Sequence, residues 1–276
     1  MERTLVFTDL GGTLLDEHSY SWAPAASAVE MLEQQGIPLV LVSSRTLPEM
    51  RRLRLAMNNS HPFVVENGGA CVIPHGYFAD TGDQGRGDEE QVELQGPSWK
   101  NIRRSLVKLR ESDSAFRFCG CGDLTPEQLS ERTGLTPEAA RLASERLCSE
   151  PLFWEGDSRA LARFEEALAA QGLRLLRGAR LLHVLGSGER ASSVKMLRER
   201  YRAAWSSSPW FSVALGSHGA DEAMLRAADL AVVLPGSDGK LLQLDDHPAV
   251  LYATTPGPRG WQEAIEQVLQ RLEIRY

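Results

Sequence analysis

Short apolar runs and amphipathic stretches alternate along the first part of the chain. Residues 4–8 (TLVFT) are rich in β-branched and aromatic side chains and stop at Asp9, which predicts a short strand. Pro24 opens a helical stretch, AASAVEMLEQQG, that Gly36 ends. The run PLVLVSS at 38–44 is continuously apolar before its serines, as in a strand covered on both faces of a parallel sheet. Thr46 and Glu49, three residues apart, form a capping box for a further helix. FVV at 63–65 is a third strand, leading into Glu66-Asn67-Gly68-Gly69. Strand–helix repeats of this kind predict right-handed crossovers and a doubly wound, Rossmann-like parallel sheet of the α/β class.

Near residue 80 the texture changes. DTGDQGRGDEEQ at 80–91 is Gly-rich and acidic, the composition of an exposed loop or linker. Between about 98 and 186 there are helical patterns (WKNIRRSLVKLRE, TPEAARLASERL, SRALARFEEALAAQG) and strand patterns (LFWE, LRLLRG, RLLHVL), enough for a separate α+β module. After Gly186 the alternation resumes: helix 191–204, strand 211–216, helix 220–228, strand 230–235 and a terminal helix after Pro258. The expected organisation is a core domain of residues 1–80 and 187–276, interrupted by an inserted domain at 81–186. Ligands of open α/β sheets bind beyond the carboxyl ends of the strands. Asp9, Ser43, Glu66 and Gly216 occupy such ends and should meet in one crevice.

Composition narrows the classes of function. The 276 residues carry a net charge of −7, with a pI near 5.5, which argues against nucleic acid and anionic membranes as partners. No apolar run approaches the roughly 20 residues of a membrane span, and MERTLVFTDL lacks a signal-peptide layout. A cytoplasmic location is the expectation. Cys71, Cys119, Cys121 and Cys148 are too few for a disulfide framework, and Cys119-Gly120-Cys121 lacks a second ligand pair at zinc spacing.

The segment Asp9-Leu10-Gly11-Gly12-Thr13 resembles the first motif, D-x-D-G-T, of haloacid-dehalogenase-superfamily phosphatases. Ser43 matches that superfamily's phosphate-binding hydroxyl, and Gly216 to Asp221 stands where G-D-x-x-N-D is expected. LDEHSYSWAPAA, LVSSRT, VENGG, GDLT, TGLT, GARLLHV and PGPRGW are similar to the mannosyl-3-phosphoglycerate phosphatase branch, and they run through nearly the whole chain. The resemblance implies a core with an inserted cap, and an aspartate that attacks phosphorus to form an aspartyl-phosphate. It also implies a magnesium ion that neutralises carboxylate and phosphate, and a second acid that serves the leaving group. The implied ligand is a phosphorylated sugar or sugar-glycerate.

Several positions depart from the pattern. Asp9 stands at the nucleophile position, but the acid/base position is Gly11, which offers only its backbone carbonyl to a metal. Ser217 replaces a metal-binding Asp, Ala220 replaces Asn, and Asp221 persists. Arg190 falls at the basic position and can still hold phosphate. Losing acid/base help costs about 10²–10⁴ in rate, and magnesium at a site short of a carboxylate is expected to be weak or absent. Asp9 therefore reads as a nucleophile or as a fold remnant. Asp221 reads as an ion ligand or as the N-cap of the next helix, and His218 as a stand-in acid/base or a surface residue. The resemblance points to Ser43, Ser44, Arg45, Glu66 and Asn67 as substrate contacts from the core. Gly178, Arg180 and His183 with Asp123 and Thr125 are the corresponding cap candidates. Two functions follow: a pseudophosphatase binding a phosphosugar or a protein partner, or a slow phosphomonoesterase.

Overall fold

The computed structural model describes residues 3–78, 90–178, 181–188 and 190–273. An eight-stranded sheet has the order β12-β11-β10-β1-β2-β3-β4-β5. Its strands are β1 (Arg3–Thr8), β2 (Leu39–Val42), β3 (Phe63–Val65), β4 (Ala70–Ile73), β5 (Gln91–Leu94), β10 (Trp210–Gly216), β11 (Leu230–Val233) and β12 (Val250–Tyr252). From β12 through β3 the pairings are parallel; β4 and β5 add an antiparallel edge. Both faces are covered, which explains the unbroken apolar runs. Val6 and Val213 point to a layer containing Leu32 of α1 (Ala26–Gln34), Met50 of α2 (Leu47–Ala56) and Trp261 of α9 (Gly257–Glu273). Leu5, Phe7 and Ala214 face Leu197 and Tyr201 of α7 (Arg190–Ala204) and Met224 of α8 (Glu222–Ala227). The capping box of α2 is present, with Thr46 and Glu49 exchanging hydrogen bonds.

A second, antiparallel sheet has the order β6-β7-β9-β8, from β6 (Phe118–Gly120), β7 (Ser149–Trp154), β8 (Leu173–Arg177) and β9 (Leu182–Gly186). One face packs on α3 (Trp99–Ser112) and α6 (Ser158–Ala169) through Leu106, Phe164, Leu175 and Val184. Short helices α4 (Pro126–Thr133) and α5 (Pro137–Ser144) join Phe153 and Leu181 on the other side. This smaller layer is the inserted cap.

One boundary differs from expectation. Gln91–Leu94, in the stretch read as loop and insert, pairs with β4, so the larger sheet extends past residue 81. Four alternating residues beside an acidic tract carry too little periodicity to be seen as a strand. Residues 80–89 of the expected loop, and Arg180 among the site candidates, lie outside the described residues. β4, β12 and α4 are further elements that the sequence pattern did not announce; α4 buries a single apolar side chain, Leu129. No helix among the described residues is long and apolar enough to cross a membrane.

Candidate functional site

The chain runs outward in both directions from β1, so β1, β2 and β10 present their carboxyl ends side by side. A crevice of about 800 Å³ opens there beneath the cap. Asp9, Gly11, Ser43, Ser44, Arg45, Asn67, Arg190, His218 and Asp221 line it from the core, and Leu176, Gly178, Leu181 and His183 from the cap. Tyr20, within the LDEHSYSWAPAA segment but not singled out there, and Arg177, which no motif marked, also line it. Arg45 lies over the Tyr20 ring, 5.2 Å from its centroid.

Arg190 organises the floor. Its Nη1 donates to Asp9 Oδ1 at 2.7 Å and also to Asp221 Oδ1, while Nη2 donates to Asn67 Oδ1 at 3.0 Å. Burial opposes its charge, but Asp221 and Asp9 hold the guanidinium protonated above its ordinary range. Asp9 and Asp221 are 6% and 1% exposed, so this is a buried ion triad with net charge −1 when both acids are ionised. Removing one member of such a cluster costs about 3–5 kcal/mol, because the others stay buried and uncompensated. Burial first, then the Asp9 charge, pushes the Asp221 carboxyl up to about 6. Its second oxygen accepts the amides of Ser217 (2.9 Å) and His218 (3.0 Å). Asp221 makes no side-chain cap to α8; it fastens the loop before it.

A hydroxyl relay leads from Asp9 to His218. Thr13 Oγ1 donates to Asp9 Oδ2 at 3.2 Å and lies 2.8 Å from Ser217 Oγ, which is 2.7 Å from His218 Nδ1. A hydroxyl has one proton. If Thr13 gives its proton to Asp9, Ser217 donates to Thr13 and Nδ1–H donates to Ser217. Nε2 of His218 then carries a proton only in the imidazolium form. His218 is only half-exposed, and its nearer nitrogen lies within 4.8 Å of carboxylate oxygens of Asp9 and Asp221. The position of His218 in the altered fourth motif left it open as a stand-in acid/base or a surface residue; its distance from Asp9 is set by the fold.

Gly11 and Gly12 differ in kind. Gly12 has φ +74°, and a Cβ there would lie 3.0 Å from His218 Cε1, so glycine is required. Gly11 has ordinary φ and a Cβ on it would meet nothing within 4 Å. The missing acid is therefore not dictated by the backbone.

Asp9, His218 and Asp221 together offer two carboxylates and an imidazole to a cation. Magnesium takes oxygen ligands in a strict octahedron. Here Arg190 already occupies one oxygen of each carboxylate, two amides hold the other oxygen of Asp221, and the Ser217 hydroxyl is engaged with Thr13 and His218. This donor set does not fit a resident magnesium ion.

Three expected contacts are placed elsewhere. Glu66, fully buried with φ +51°, accepts the amides of Leu147 (2.7 Å) and Cys148 (3.0 Å) and the Ser149 hydroxyl (2.7 Å). It pins the root of the cap and does not line the crevice. Asp123 is bound by Arg103 (2.6 Å) and Arg110 (2.7 Å) inside the cap, and Thr125 caps α4. Nonlocal main-chain amides and guanidiniums claim these groups. His183 does face the crevice; burial, then Arg146 and Arg190, pushes its imidazole down to about 3, so it is neutral.

Residues 6–80 match the haloacid dehalogenase-like hydrolase family. The chain is 32% identical over 274 residues to the glucosyl-3-phosphoglycerate/mannosyl-3-phosphoglycerate phosphatase of Persephonella marina, covering 98% of each chain. It is 33% identical over 267 residues to the phosphatase of the same name from Methanococcoides burtonii, covering 96% of this chain and 97% of that one. Among solved structures, a Thermoplasma acidophilum protein superposes with a TM-score of 0.66 at 15% identity, covering 99% of both chains. A haloalkanoate-superfamily protein from Bacteroides thetaiotaomicron gives 0.66 at 17% identity, covering 96% of this chain and 95% of its own. These two likenesses concern the fold alone.

Proposed function

The chain belongs to the glucosyl-3-phosphoglycerate/mannosyl-3-phosphoglycerate phosphatase family of haloacid-dehalogenase-like proteins, and on that premise we propose that it is a pseudophosphatase, binding a phosphorylated sugar-glycerate between core and cap without efficient turnover. The observation that carries this reading is the state of Asp9. Both of its oxygens accept hydrogen bonds, from Arg190 and Thr13, and position 11 beside it has no side chain to move a proton. An aspartate so held is a poor nucleophile, and the missing acid/base is worth about 10²–10⁴ in rate. Magnesium is expected to bind weakly here, so its charge would not offset either loss.

Phosphate binding survives these changes. Ser43, 3% exposed, accepts the Arg45 amide at 3.3 Å and keeps its own proton for an anion. Arg190 lines the same crevice with its charge shared between Asp9 and Asp221, and Arg45 stands on the same wall for a phosphate or a glycerate carboxylate. Leu135, Ala139, Leu181 and Tyr20 give the apolar wall against which a sugar ring packs. A concave crevice of this size suits a small molecule better than a protein surface.

The His218 relay favours a second reading, a slow phosphomonoesterase with the imidazolium as leaving-group acid. The two are separated by following phosphate release from mannosyl-3-phosphoglycerate and a phosphosugar panel, beside calorimetric titration of the same compounds. Binding without release is the expected result; turnover at an ordinary enzyme rate, about 1–10³ per second, overturns it.

A further inference from the structure

The guanidiniums that line the crevice differ in what they are paired with. Arg190 shares its charge between Asp9 and Asp221, and Arg177 pairs with Glu165 at 2.9 Å. Arg45 has no carboxylate within ion-pair distance among the described residues, although Glu17 and Glu49 line the same crevice. Its guanidinium lies over the Tyr20 ring instead, 5.2 Å from the centroid. The Arg45 backbone is fixed on both sides: its amide donates to Ser43 Oγ at 3.3 Å, and its carbonyl accepts the Glu66 amide at 3.0 Å. Only the long side chain is left to be placed, and Tyr20 is what it rests on.

The backbone of Tyr20 is itself unusual. Its φ of +55° lies in the left-handed region, which bulky side chains rarely adopt. A turn built on Asp16 holds it there. The Tyr20 amide donates to the Asp16 carbonyl at 3.0 Å, and the Asp16 amide donates to the Ser21 carbonyl at 3.0 Å. Asp16 Oδ1 accepts the amides of His18 (3.2 Å) and Ser19 (2.8 Å) and the Ser19 hydroxyl (2.8 Å). Glycine or asparagine would take this conformation at lower cost. Core packing does not account for the ring either, since Tyr20 is 43% exposed. Strain of this kind gathers at binding sites, where it aims a side chain. A guanidinium stacked on an aromatic face keeps the N–H groups of its plane free for an anion. It also has less rotamer freedom left to lose when it grips one.

We propose that Tyr20 is a positioning residue: held left-handed by the Asp16 turn, its ring places the Arg45 guanidinium on the crevice wall for an anionic group of the ligand. This rests on the proposed binding of a phosphorylated compound in the crevice. Tyr20 acts through Arg45, so its ring matters only while the guanidinium is there to be placed.

The test is calorimetric titration of the full chain with 3-phosphoglycerate, beside thermal unfolding of the same proteins. Tyr20→Asn suits the left-handed backbone but removes the ring. Its Kd should rise about two- to fivefold, the worth of a cation–π contact at an exposed site, while Tm does not fall. Weaker binding at undiminished Tm cannot come from a folding defect. Tyr20→Phe keeps the ring and should restore most of the affinity. Arg45→Met should weaken binding further, and adding Tyr20→Asn to it should change nothing more. An unchanged Kd in Tyr20→Asn, or a Tyr20→Phe as weak as Tyr20→Asn, overturns the role of Tyr20 and leaves the phosphate reading intact. So does a Tyr20→Asn loss that persists beside Arg45→Met, which would put the ring against the ligand itself. No binding of 3-phosphoglycerate to the unmodified chain overturns both.

Discussion

A cluster of acids and guanidiniums in the cap gathers the partly exposed Asp123, Arg103 and Arg110 around the buried Glu150, whereas the cluster at the strand ends is buried throughout. In the cap, Glu150 accepts the Gly122 amide (2.8 Å), the Trp99 indole and Arg103, and Asp123 accepts Arg103, Arg110 and the Gly120 amide (2.9 Å). Each of these four carboxylate oxygens has a donor. Despite partial burial, Arg103 and Arg110 draw Asp123 down to about 2. At the strand ends, Arg190 bridges Asp9 and Asp221, yet Arg190 Nε and Asn67 Nδ2 have no acceptor. The first cluster is complete within the protein and holds a turn. The second leaves two buried donors without a hydrogen-bond partner. Unpaired donors alone do not mark a ligand site, since Arg146 Nε beside Glu66 and Arg198 Nε beside Asp229 lack an acceptor as well.

The largest loss is expected in the cap. Glu150→Ala leaves Arg103, Trp99 and an amide around an empty place and should cost about 3–5 kcal/mol in denaturant unfolding. Asp9→Asn keeps an acceptor for Arg190 and leaves Asp221 paired, so about 1–3 kcal/mol is expected. Equal losses would mean that the strand-end cluster is as structural as the cap cluster.

A smaller effect is expected with magnesium. Calorimetry of the unliganded chain with magnesium should show no tight site, since the carboxylates already have donors. Saturation at micromolar magnesium would mean that Arg190 yields its place to the ion.

The smallest effect concerns acid stability. His183 titrates near 3 when folded against 6.5 in its unperturbed form. The folded state therefore binds fewer protons between those values, and stability falls as pH falls through that window. Asp221 has the opposite sign: raised from 3.8 to about 6, it makes the folded state gain stability as pH falls through 6. His183→Asn should flatten the acid limb of the Tm profile between pH 6.5 and 3. An unchanged slope would remove His183 as its source.

Much of this was legible from the chain alone. Continuous apolar runs located β1, β2, β3 and β10, and with them the strand ends at Asp9 and Ser43, which line the crevice; Glu66 and Gly216, expected there too, do not line it. The capping box at Thr46 was readable because both partners are local. Glu66 and Asp123 were not readable, because their partners are main-chain amides or arginines that only the fold brings near; the amides bound by Glu66 belong to residues 147 and 148. The contacts of His218 were not readable for the same reason: its link to Asp9 runs through Ser217 and Thr13, which lie 204 residues apart in sequence. β5 escaped because four alternating residues beside an acidic tract give no period to read.

The central claim is that this family's fold and phosphate cradle remain while Gly11 and Ser217 withhold catalysis. It is tested most directly by restoring both positions. A Cβ at Gly11 meets nothing within 4 Å, so an aspartate fits there without backbone strain, and Ser217→Asp returns a carboxylate beside Asp9 and Asp221. Phosphate release from mannosyl-3-phosphoglycerate with magnesium should rise about 10²–10⁴-fold in the Gly11→Asp, Ser217→Asp double variant. Either change alone should do little, and Asp9→Asn should abolish the gain. An unmodified chain that already releases phosphate at about 1–10³ per second, or a folded, phosphate-binding double variant that gains nothing, would contradict the account.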